Sequence, residues 1–384
     1  MTVALSAQVP AWMTGGADES DIVLSSRIRL ARNMSERSFP DRADAAGREE
    51  VVQAALSRLA ALTEATGKQF SLLKMSELTG VERYVLVEKH LISPALADDP
   101  AGRAVLVSED ASVSIMINEE DHFRIQAMRP GLDLTGALAL ADRVDDALEA
   151  GIDFAFDEEM GYLTACPTNV GAAVRASVMV HLPGLVISKQ VERMAAAAAQ
   201  VGLTVRGLYG EGSEAAGNLF QISNQLSLGY GERELVENLT GMVRQIVGQE
   251  RAARQRLLER SPIGMEDLAA RAVGILSYAR RLDSAEALAL ASRVRLGADM
   301  GILQTPASLF NELVVVTRPN YIQKFFAGKD ADEQQRDALR AQMVRGKMAD
   351  CRLTAGQAAE PAPVQPQAEE MKADETTKEG NGDV

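Results

Sequence analysis

The spacing of apolar residues changes near Glu232, and this change constrains the fold more than any other feature of the sequence. Before it, residues 22–228 contain short runs of period two, such as residues 113–117, that are typical of β-strands. Between these runs, apolar side chains recur every three or four positions over residues 134–148, which predicts an amphipathic helix. After Glu232 only the helical period remains. The sequence therefore predicts an α+β domain followed by an all-α helical bundle.

Local signals predict further elements. Alternation over residues 220–225 indicates a strand, and apolar spacing over residues 52–62 indicates a helix. A long helix is expected from about Leu235 to Arg260, where Ser261-Pro262 interrupts it. These signals place most of the predicted strands in the first part of the chain.

Capping residues and composition predict the remaining boundaries. Ser284 is expected to cap one helix, and Thr305-Pro306 to cap another with proline at its first position. Beyond Thr354 the chain is rich in Ala, Pro, Gln, Glu and Lys without apolar periodicity, which predicts disorder. We therefore expect an N-terminal segment at 1–20, a mixed α/β domain at 21–250, a helical domain at 251–350 and an acidic disordered tail at 351–384.

The composition excludes several classes of protein. Apolar residues make up 46% of the chain, too many for a wholly disordered protein, and no apolar run reaches the roughly 18 residues of a membrane span. The net charge of −14 argues against binding to nucleic acid by bulk electrostatics. The first residues lack the pattern of a secretion signal, and Cys166 and Cys351 are too few for a disulfide framework. We expect a cytoplasmic protein without a membrane or nucleic-acid partner.

Common nucleotide and metal motifs are absent from the sequence. It contains neither a GxxxxGK[ST] phosphate-binding loop nor the paired HRD and DFG signatures of protein kinases. The three histidines, His90, His122 and His181, are too scattered for a metal-binding motif. The sequence thus predicts no dedicated metal site.

Arginines at strand spacing are the most informative polar residues. Arg27 and Arg29 lie two positions apart, so an extended segment projects both guanidinium groups from one face. Arg175 has the same spacing from Ser177, and Arg206 precedes a glycine-rich loop. Guanidinium groups bind phosphate oxygens through planar pairs of donors, which lysine lacks. The pattern favours an oxyanion ligand.

Carboxylates accompany these arginines. If the strand of residues 113–117 continues, period two places Glu120, His122 and Arg124 on one surface. Glu211 lies in the glycine-rich loop, and the proline after Cys166 restricts that cysteine to an extended or turning backbone. Each signal alone is more typical of a solvated face or of a buried apolar cysteine. Together, separate arginines and two carboxylates are what phosphoryl transfer to a cationic acceptor needs.

Four segments resemble one family in sequence and in order. They are LSSRIRLARN, INEEDHFRIQ, CPTNVGAAVRASVMVHLPGL and RGLYGEGSEAAGNLFQISNQ. The chain resembles the ATP:guanidino phosphotransferases, which include creatine and arginine kinases, and is similar to the bacterial protein arginine kinases as far as about residue 340. The resemblance implies a catalytic domain with an antiparallel sheet flanked by helices, followed by a helical-bundle domain.

The resemblance also implies roles for individual residues. Glu120 is expected to be the catalytic base, Glu211 to help hold the acceptor guanidinium, and Cys166 to lie beside the acceptor. Magnesium is expected to arrive with ATP, held mainly by phosphates and water. His90 is expected near the nucleotide base. The residues expected to bind ATP are Ser25, Ser26, Arg27, Ile28, Arg29, His90, Arg124, Arg175, Ala176, Ser177, Val178, Met179, Arg206, Gly207, Leu208, Tyr209, Gly210 and Glu211.

The acceptor is expected to be an arginine side chain of a protein. Kinases of free guanidino compounds carry a helical domain before the first arginine motif, whereas Arg27 lies near the start of this sequence. A kinase for a free guanidino compound and a catalytically inactive adaptor that binds phosphoarginine are the alternatives. The family further implies a homodimer, an activator protein, and a Clp chaperone-protease that degrades the marked proteins in a stress response.

A second motif in the helical part carries a separate expectation. The resemblance implies that Arg336, Asp337, Arg340 and Ala341 form a phosphoarginine pocket that supports allosteric control. By spacing alone, Arg336, Asp337 and Arg340 would form an exposed helix face.

Overall fold

Strands of one antiparallel sheet dominate the first part of the chain. The computed structural model describes residues 3–208, 215–225, 229–328 and 331–354. The strands are β1 Val23–Arg32, β2 Phe70–Lys74, β3 Ala104–Ser108, β4 Val113–Ile117, β5 Phe123–Pro130, β6 Phe156–Asp157, β7 Gly161–Tyr162, β8 Val174–His181, β9 Leu203–Gly207, β10 Leu219–Asn224, β11 Leu303–Gln304 and β12 Arg352–Leu353. Eight of them form a sheet in the order β2-β3-β4-β5-β1-β8-β10-β9.

Helices surround this sheet and make up most of the later part of the chain. They are α1 Ala45–Ser57, α2 Leu59–Thr66, α3 Gly80–Glu88, α4 Pro94–Asp98, α5 Leu134–Glu149, α6 Pro183–Ile187, α7 Val191–Gln200, α8 Glu232–Arg260, α9 Pro262–Tyr278, α10 Ser284–Asp299, α11 Leu309–Val316, α12 Pro319–Phe325 and α13 Glu333–Lys347. Across the described ranges, we find no helix with the length and apolar character needed to cross a membrane.

The two faces of the sheet differ in chemistry because alternate residues project to opposite sides. On one face, Ile28, Ile125 and Val178 are fully buried beneath α5 and α8. Leu138 of α5 and Val243 of α8 belong to the same apolar core. The other face carries arginines and further polar side chains, and it forms the floor of the site described below.

A second core joins the helical part of the chain to the sheet. Trp12 from the N-terminal segment and Met179 from β8 are buried together with Leu276, Leu288 and Phe310 of α9, α10 and α11. The described residues up to Thr354 accordingly form one compact unit. Helix α8 crosses the boundary expected at residue 250, and β12 pairs with β11 inside the segment expected to be a tail.

The observed elements confirm the predicted fold class and most of the periodicity. The strands β4 and β10 and the helices α5 and α8 match the predicted patterns, and α9 begins at Pro262. The helix predicted over residues 52–62 is divided into α1 and α2 at Arg58, whose backbone leaves the regular helical path.

Two predicted helix caps are wrong. Asp283 caps α10 in place of Ser284, since its side chain accepts a hydrogen bond from the Glu286 N–H at 2.8 Å. Helix α11 begins only at Leu309, so Thr305-Pro306 lies in the loop before it. The remainder of the predicted tail, residues 355–384, lies outside the described residues.

Candidate active site

Strand register brings the predicted arginines onto one face of the sheet. Arg29 on β1 lies opposite both Arg175 on β8 and Gln126 on β5, and Arg27 lies opposite Ser177. Residues opposite one another in an antiparallel pair point to the same side of the sheet. Two rows of polar side chains therefore cross neighbouring strands.

Two of these guanidinium groups donate hydrogen bonds to side chains of β8 and β10. Arg27 donates from Nε to Ser177 Oγ at 3.1 Å and from Nη2 to Gln221 Oε1 at 2.6 Å. Arg175 donates from Nη2 to Ser223 Oγ at 3.2 Å. Because Gln221 and Ser223 are strand residues, the sheet itself orients the arginines.

A cavity of about 200 Å³ collects residues from separate parts of the sequence. It is lined by Arg29, Arg124 and Arg175 together with Glu120 and Cys166. Three strands and two connecting segments supply these side chains. The cavity therefore combines cationic groups, one carboxylate and one thiol.

The arginines of this cavity perturb one another. Burial, followed by the charges of Arg27, Arg124 and Arg175, holds the pKa of Arg29 well below its ordinary value. Burial and the charges of Arg206 and Arg124 lower the pKa of Arg175. The Nε atoms of Arg29 and Arg175 are buried and have no hydrogen-bond partner among the described residues. An anion would relieve this repulsion and accept these hydrogen bonds, so the set fits a chain of phosphates.

Glu120 reaches the cavity from the turn between β4 and β5. The strand of residues 113–117 does not continue through residue 124, as the predicted grouping of Glu120 with Arg124 required, because β4 ends at Ile117 and Arg124 belongs to β5. Arg124 nevertheless donates from Nη2 to Glu120 Oε2 at 3.1 Å. Burial raises the pKa of Glu120, and the charge of Arg124 opposes that rise. A partly desolvated carboxylate beside an anion site suits proton transfer.

Glu119 is a residue of this site that sequence reasoning does not single out. Its side chain is only 5% exposed, and its Oε2 lies 2.6 Å from Arg124 Nη1. Its Oε1 accepts a hydrogen bond from Ser93, which caps α4. The acidic run at residues 119–121 was the available signal, but it does not indicate that Glu119 is buried against Arg124 and Ser93.

His122 points away from Glu120 and Arg124, so the expectation that all three share a surface is wrong. His122 is 1% exposed, and its Nδ1 accepts a hydrogen bond from the Met34 N–H at 3.0 Å. Its Nε2 lies 3.0 Å from the Ser38 carbonyl oxygen. The histidine therefore ties the turn to the segment after β1.

The segment that carries Cys166 is attached to the same turn. Asp121 Oδ1 accepts hydrogen bonds from Asn33 Nδ2 at 2.7 Å and from the Ala165 N–H at 2.8 Å. Cys166 has an extended backbone, as the following proline predicts, and its Sγ lies 3.0 Å from Thr168 Oγ1. The buried Asp121 thus fixes the cysteine segment relative to Glu120.

His90 lies at one edge of the polar face. Its carbonyl oxygen accepts a hydrogen bond from Gln126 Nε2 at 2.7 Å, and its ring packs edge-on against Trp12 with centroids 5.7 Å apart. Burial, followed by the charges of Arg27 and Arg318, lowers the pKa of His90 to about 3. Its ring is therefore neutral at neutral pH.

Several residues expected to bind ATP do not face the cavity. The side chains of Ile28, Ala176 and Val178 are buried in the apolar core on the opposite face. Ser26 is also buried and donates to the Gly131 carbonyl oxygen at 2.8 Å.

The other expected residues lie along the strands or beyond them. Ser25, Ser177 and Met179 are buried residues of β1 and β8, whereas Arg206 is exposed on β9. Gly207 ends β9, and Leu208 follows it. Tyr209, Gly210 and Glu211 lie outside the described residues. Within the described part of the chain, no three His, Cys, Asp or Glu side chains are grouped to hold a metal ion.

The motif expected to bind phosphoarginine is divided between a cavity and a packed helix face. Arg336 lines a cavity of about 660 Å³ with Glu82, Asn320 and Lys324. Ala341 is fully buried.

Arg340 of that motif is 2% exposed and does not line the cavity. It donates to the carbonyl oxygens of Thr317 and Leu282 at 2.6 and 2.7 Å and to Asp337 Oδ1 at 2.5 Å. Arg340 and Asp337 therefore hold α13 in place through these bonds, and the exposed face indicated by spacing alone is wrong for Arg340.

Comparisons with known families agree with this geometry. Residues 50–253 match the ATP:guanido phosphotransferase, C-terminal catalytic domain. Residues 262–361 match the protein-arginine kinase McsB C-terminal domain. A solved lombricine kinase aligns with a TM-score of 0.52 and 26% identity over 65% of this chain and 70% of that chain.

Full-length relatives extend the similarity. The protein-arginine kinase of Halalkalibacterium halodurans is 49% identical over 345 residues, which cover 90% of this chain and 96% of the relative. The protein-arginine kinase of Halothermothrix orenii is 48% identical over 342 residues, with 88% and 96% covered. With its polar sheet face and both family matches, the chain belongs to the protein-arginine kinases within the ATP:guanido phosphotransferase family.

Proposed function

We propose that this protein is a kinase that transfers the γ-phosphoryl group of ATP to arginine side chains of other proteins. The observation that carries the proposal is the convergence of Arg29, Arg124 and Arg175 with Glu120 and Cys166 on one cavity. In the reaction, the bond between the γ-phosphorus and the oxygen of ADP breaks, and a bond between phosphorus and a guanidinium nitrogen forms. The proton lost from that nitrogen passes to a carboxylate.

Residues of the cavity and of the polar face around it have proposed parts in this reaction. Arg27, Arg29, Arg124, Arg175 and Arg206 neutralise and position the phosphate chain, which is the main source of catalysis in phosphoryl transfer. Glu120 accepts the proton, and Glu211, outside the described residues, helps to orient the acceptor. Cys166 lies beside the acceptor, and His90 lies near the nucleotide base. Magnesium bound with ATP supplies further charge neutralisation.

A protein acceptor is favoured over a free guanidino compound for two reasons. The relatives from both bacteria are named protein-arginine kinases, and the similarity covers nearly their full length. The Glu120 side chain is 43% exposed, so the proposed base can reach an arginine that approaches from solvent on a polypeptide.

The wider biological role belongs to the same proposal. We infer that phosphoarginine marks cytoplasmic proteins for a Clp chaperone-protease in a stress response, and that the kinase is a homodimer with an activator protein. The Arg336-lined cavity is proposed to bind phosphoarginine and to regulate the kinase.

The test is incubation of the purified protein with magnesium, ATP and an arginine-rich protein, followed by mass spectrometry under neutral conditions. We expect an acid-labile phosphoramidate on arginine and none with Glu120→Ala. Phosphate found only on Ser, Thr or Tyr would reject the proposal. Turnover of free arginine or creatine without transfer to protein would favour the kinase of a free guanidino compound, and unchanged function of Glu120→Ala in cells would favour an inactive adaptor.

A further inference from the structure

Three consecutive residues at the C-terminal end of α3 attach this helix to three separate parts of the protein. Glu88 is hydrogen-bonded to α12 in the helical region, and Lys89 is hydrogen-bonded to the N-terminal segment. The carbonyl oxygen of His90 is hydrogen-bonded to the polar face of the sheet. Neither Glu88 nor Lys89 lines the arginine cavity. Both are buried charges whose hydrogen-bonding capacity is directed at other segments.

The carboxylate of Glu88 caps α12. Its Oε1 accepts hydrogen bonds from the backbone N–H and the side-chain amide of Asn320 at 2.9 and 2.8 Å, and its Oε2 accepts one from the Tyr321 N–H at 2.7 Å. Glu88 is 6% exposed. Loss of these bonds would leave buried polar groups unpaired on both helices, so α3 and α12 are tightly coupled.

The ammonium group of Lys89 organises the N-terminal segment. Its Nζ donates to the carbonyl oxygens of Val3, Ser6 and Gln8 at 2.6, 2.7 and 2.8 Å, which uses all three of its donors. Lys89 is fully buried, and it lies 5.9 Å from the ring centroid of Phe325 on α12. The same N-terminal segment brings Trp12 against the ring of His90.

The hydrogen bonds of Glu88 and Lys89 restrict the position of His90, the next residue in the chain. It has a left-handed backbone with a φ of 57°, and its carbonyl oxygen is held by Gln126, which lies opposite Arg29 on the polar face. A shift of the end of α3 would therefore move the His90 ring relative to the arginine row.

We propose that Glu88 and Lys89 are positioning residues that hold His90 in place for the nucleobase of ATP. The inference rests on the proposed function only for the location of the base beside His90. It follows that a disturbance of α12 or of the N-terminal segment weakens binding of the base, while the arginines still bind the phosphates.

The experiment compares two ligands by isothermal titration calorimetry with the full-length protein in the presence of magnesium. We expect Glu88→Gln and Lys89→Met each to weaken ATP binding about tenfold, the effect of losing one contact of hydrogen-bond strength. Binding of inorganic tripolyphosphate, which has no base, should be unchanged. In a His90→Ala background, neither substitution should weaken ATP binding further.

Matched controls come from an ion pair within the helical region. Glu312 and Lys347 lie 2.5 Å apart in a partly exposed ion pair, so Glu312→Gln and Lys347→Met make the same side-chain changes outside α3 and should leave ATP binding unchanged. Trp12 is the single tryptophan and packs against the His90 ring, so its fluorescence emission should change in the Glu88 and Lys89 variants. The emission should not change in the two control variants.

Two results would overturn the inference. One is wild-type ATP affinity in folded Glu88→Gln and Lys89→Met proteins, and the other is an equal loss of tripolyphosphate affinity. If Glu88→Gln does not fold, Asn320→Ala takes its place in the test, because it removes one donor to Glu88. This variant should weaken the binding of ATP but not the binding of tripolyphosphate. Retained ATP binding without arginine phosphorylation would overturn the proposed function and leave this inference intact.

Discussion

Arginine recurs on the polar face of the sheet, and its chemistry explains why lysine would not serve there. A guanidinium group stays charged even where burial and neighbouring cations lower its pKa, as they do for Arg29 and Arg175. It also has several donors in one plane, so Arg175 can bind Ser223 and still offer donors to an anion. A lysine in the same surroundings would lose its proton more readily.

The substitution Arg175→Lys tests this requirement for planar donors. We expect kcat/KM for phosphoryl transfer to fall by about a hundredfold or more, since one well-placed arginine is worth roughly a thousandfold in such reactions. Arg193→Lys, at an exposed position of α7, is the control and should have no effect. Steady-state kinetics provides the measurement, and unchanged turnover of Arg175→Lys would show that this residue does not bind the phosphate chain.

The proposed base has a distinct pH signature. Burial raises the pKa of Glu120, so the carboxylate takes up its proton at a higher pH than an ordinary glutamate does. Because the base must be ionised, kcat/KM should fall as the pH decreases through this raised pKa. The profile of Glu120→Gln should lie lower at every pH and lack this acidic limb. An identical acidic limb in the variant would assign it to another group.

Among the secondary-structure elements, a buried ion pair fixes the strand at the centre of the site. Arg32 at the end of β1 lies 2.6 Å from Asp145 of α5, and its guanidinium carbon lies 3.5 Å from the ring centroid of Tyr162 on β7. The Arg32 side chain is 1% exposed. Since β1 also carries Arg29, this contact holds the strand of the cavity against one helix and one hairpin.

Removal of this pair should affect stability more than an equivalent surface change. We expect Asp145→Ala to lower the free energy of unfolding by about 3–5 kcal/mol, because it leaves the Arg32 charge buried and unpaired. Asp146→Ala, at the adjacent exposed position of α5, should change it by less than about 0.5 kcal/mol. Urea denaturation measures both variants, and equal values would refute a structural role for the pair.

At the scale of the whole molecule, sheet and helices share the second core. Trp12 packs with residues of α9, α10 and α11, while Met179 and Leu24 bring the sheet into the same cluster. A further buried network connects the two parts, since Arg254 of α8 lies 2.6 Å from Glu250 and 3.0 Å from Asp299 of α10. The molecule therefore has no obvious plane along which the described helices would separate from the sheet.

This shared core predicts a single unfolding transition. Trp12 emission reports the second core, and far-ultraviolet circular dichroism reports the helices and strands of the whole chain. We expect both signals to change with the same midpoint in urea, as they do when unfolding is cooperative. Two separate midpoints would indicate that the helical part unfolds independently of the sheet.

Local patterns were enough to predict much of this protein. Period two identified β4 and β10 and the common face of Arg27 and Arg29, because side-chain direction alternates along any strand. The helical period identified α5 and α8 for a similar reason. Helix caps were less predictable, since Asp283 and Ser284 are adjacent residues of comparable capping ability and only the backbone path selects one of them.

Tertiary structure alone determined which residues that are distant in the sequence lie close together in the site. Sequence spacing does not indicate that β1 pairs with both β5 and β8, and this pairing places Arg29 opposite Arg175 and Gln126. Glu120, which lines the cavity, was expected from the sequence, but no local pattern indicated that Glu119 is buried against Ser93 and Arg124. Short-range periodicity follows from the geometry of each strand or helix alone, whereas the neighbours of a side chain depend on which segments the cores hold together.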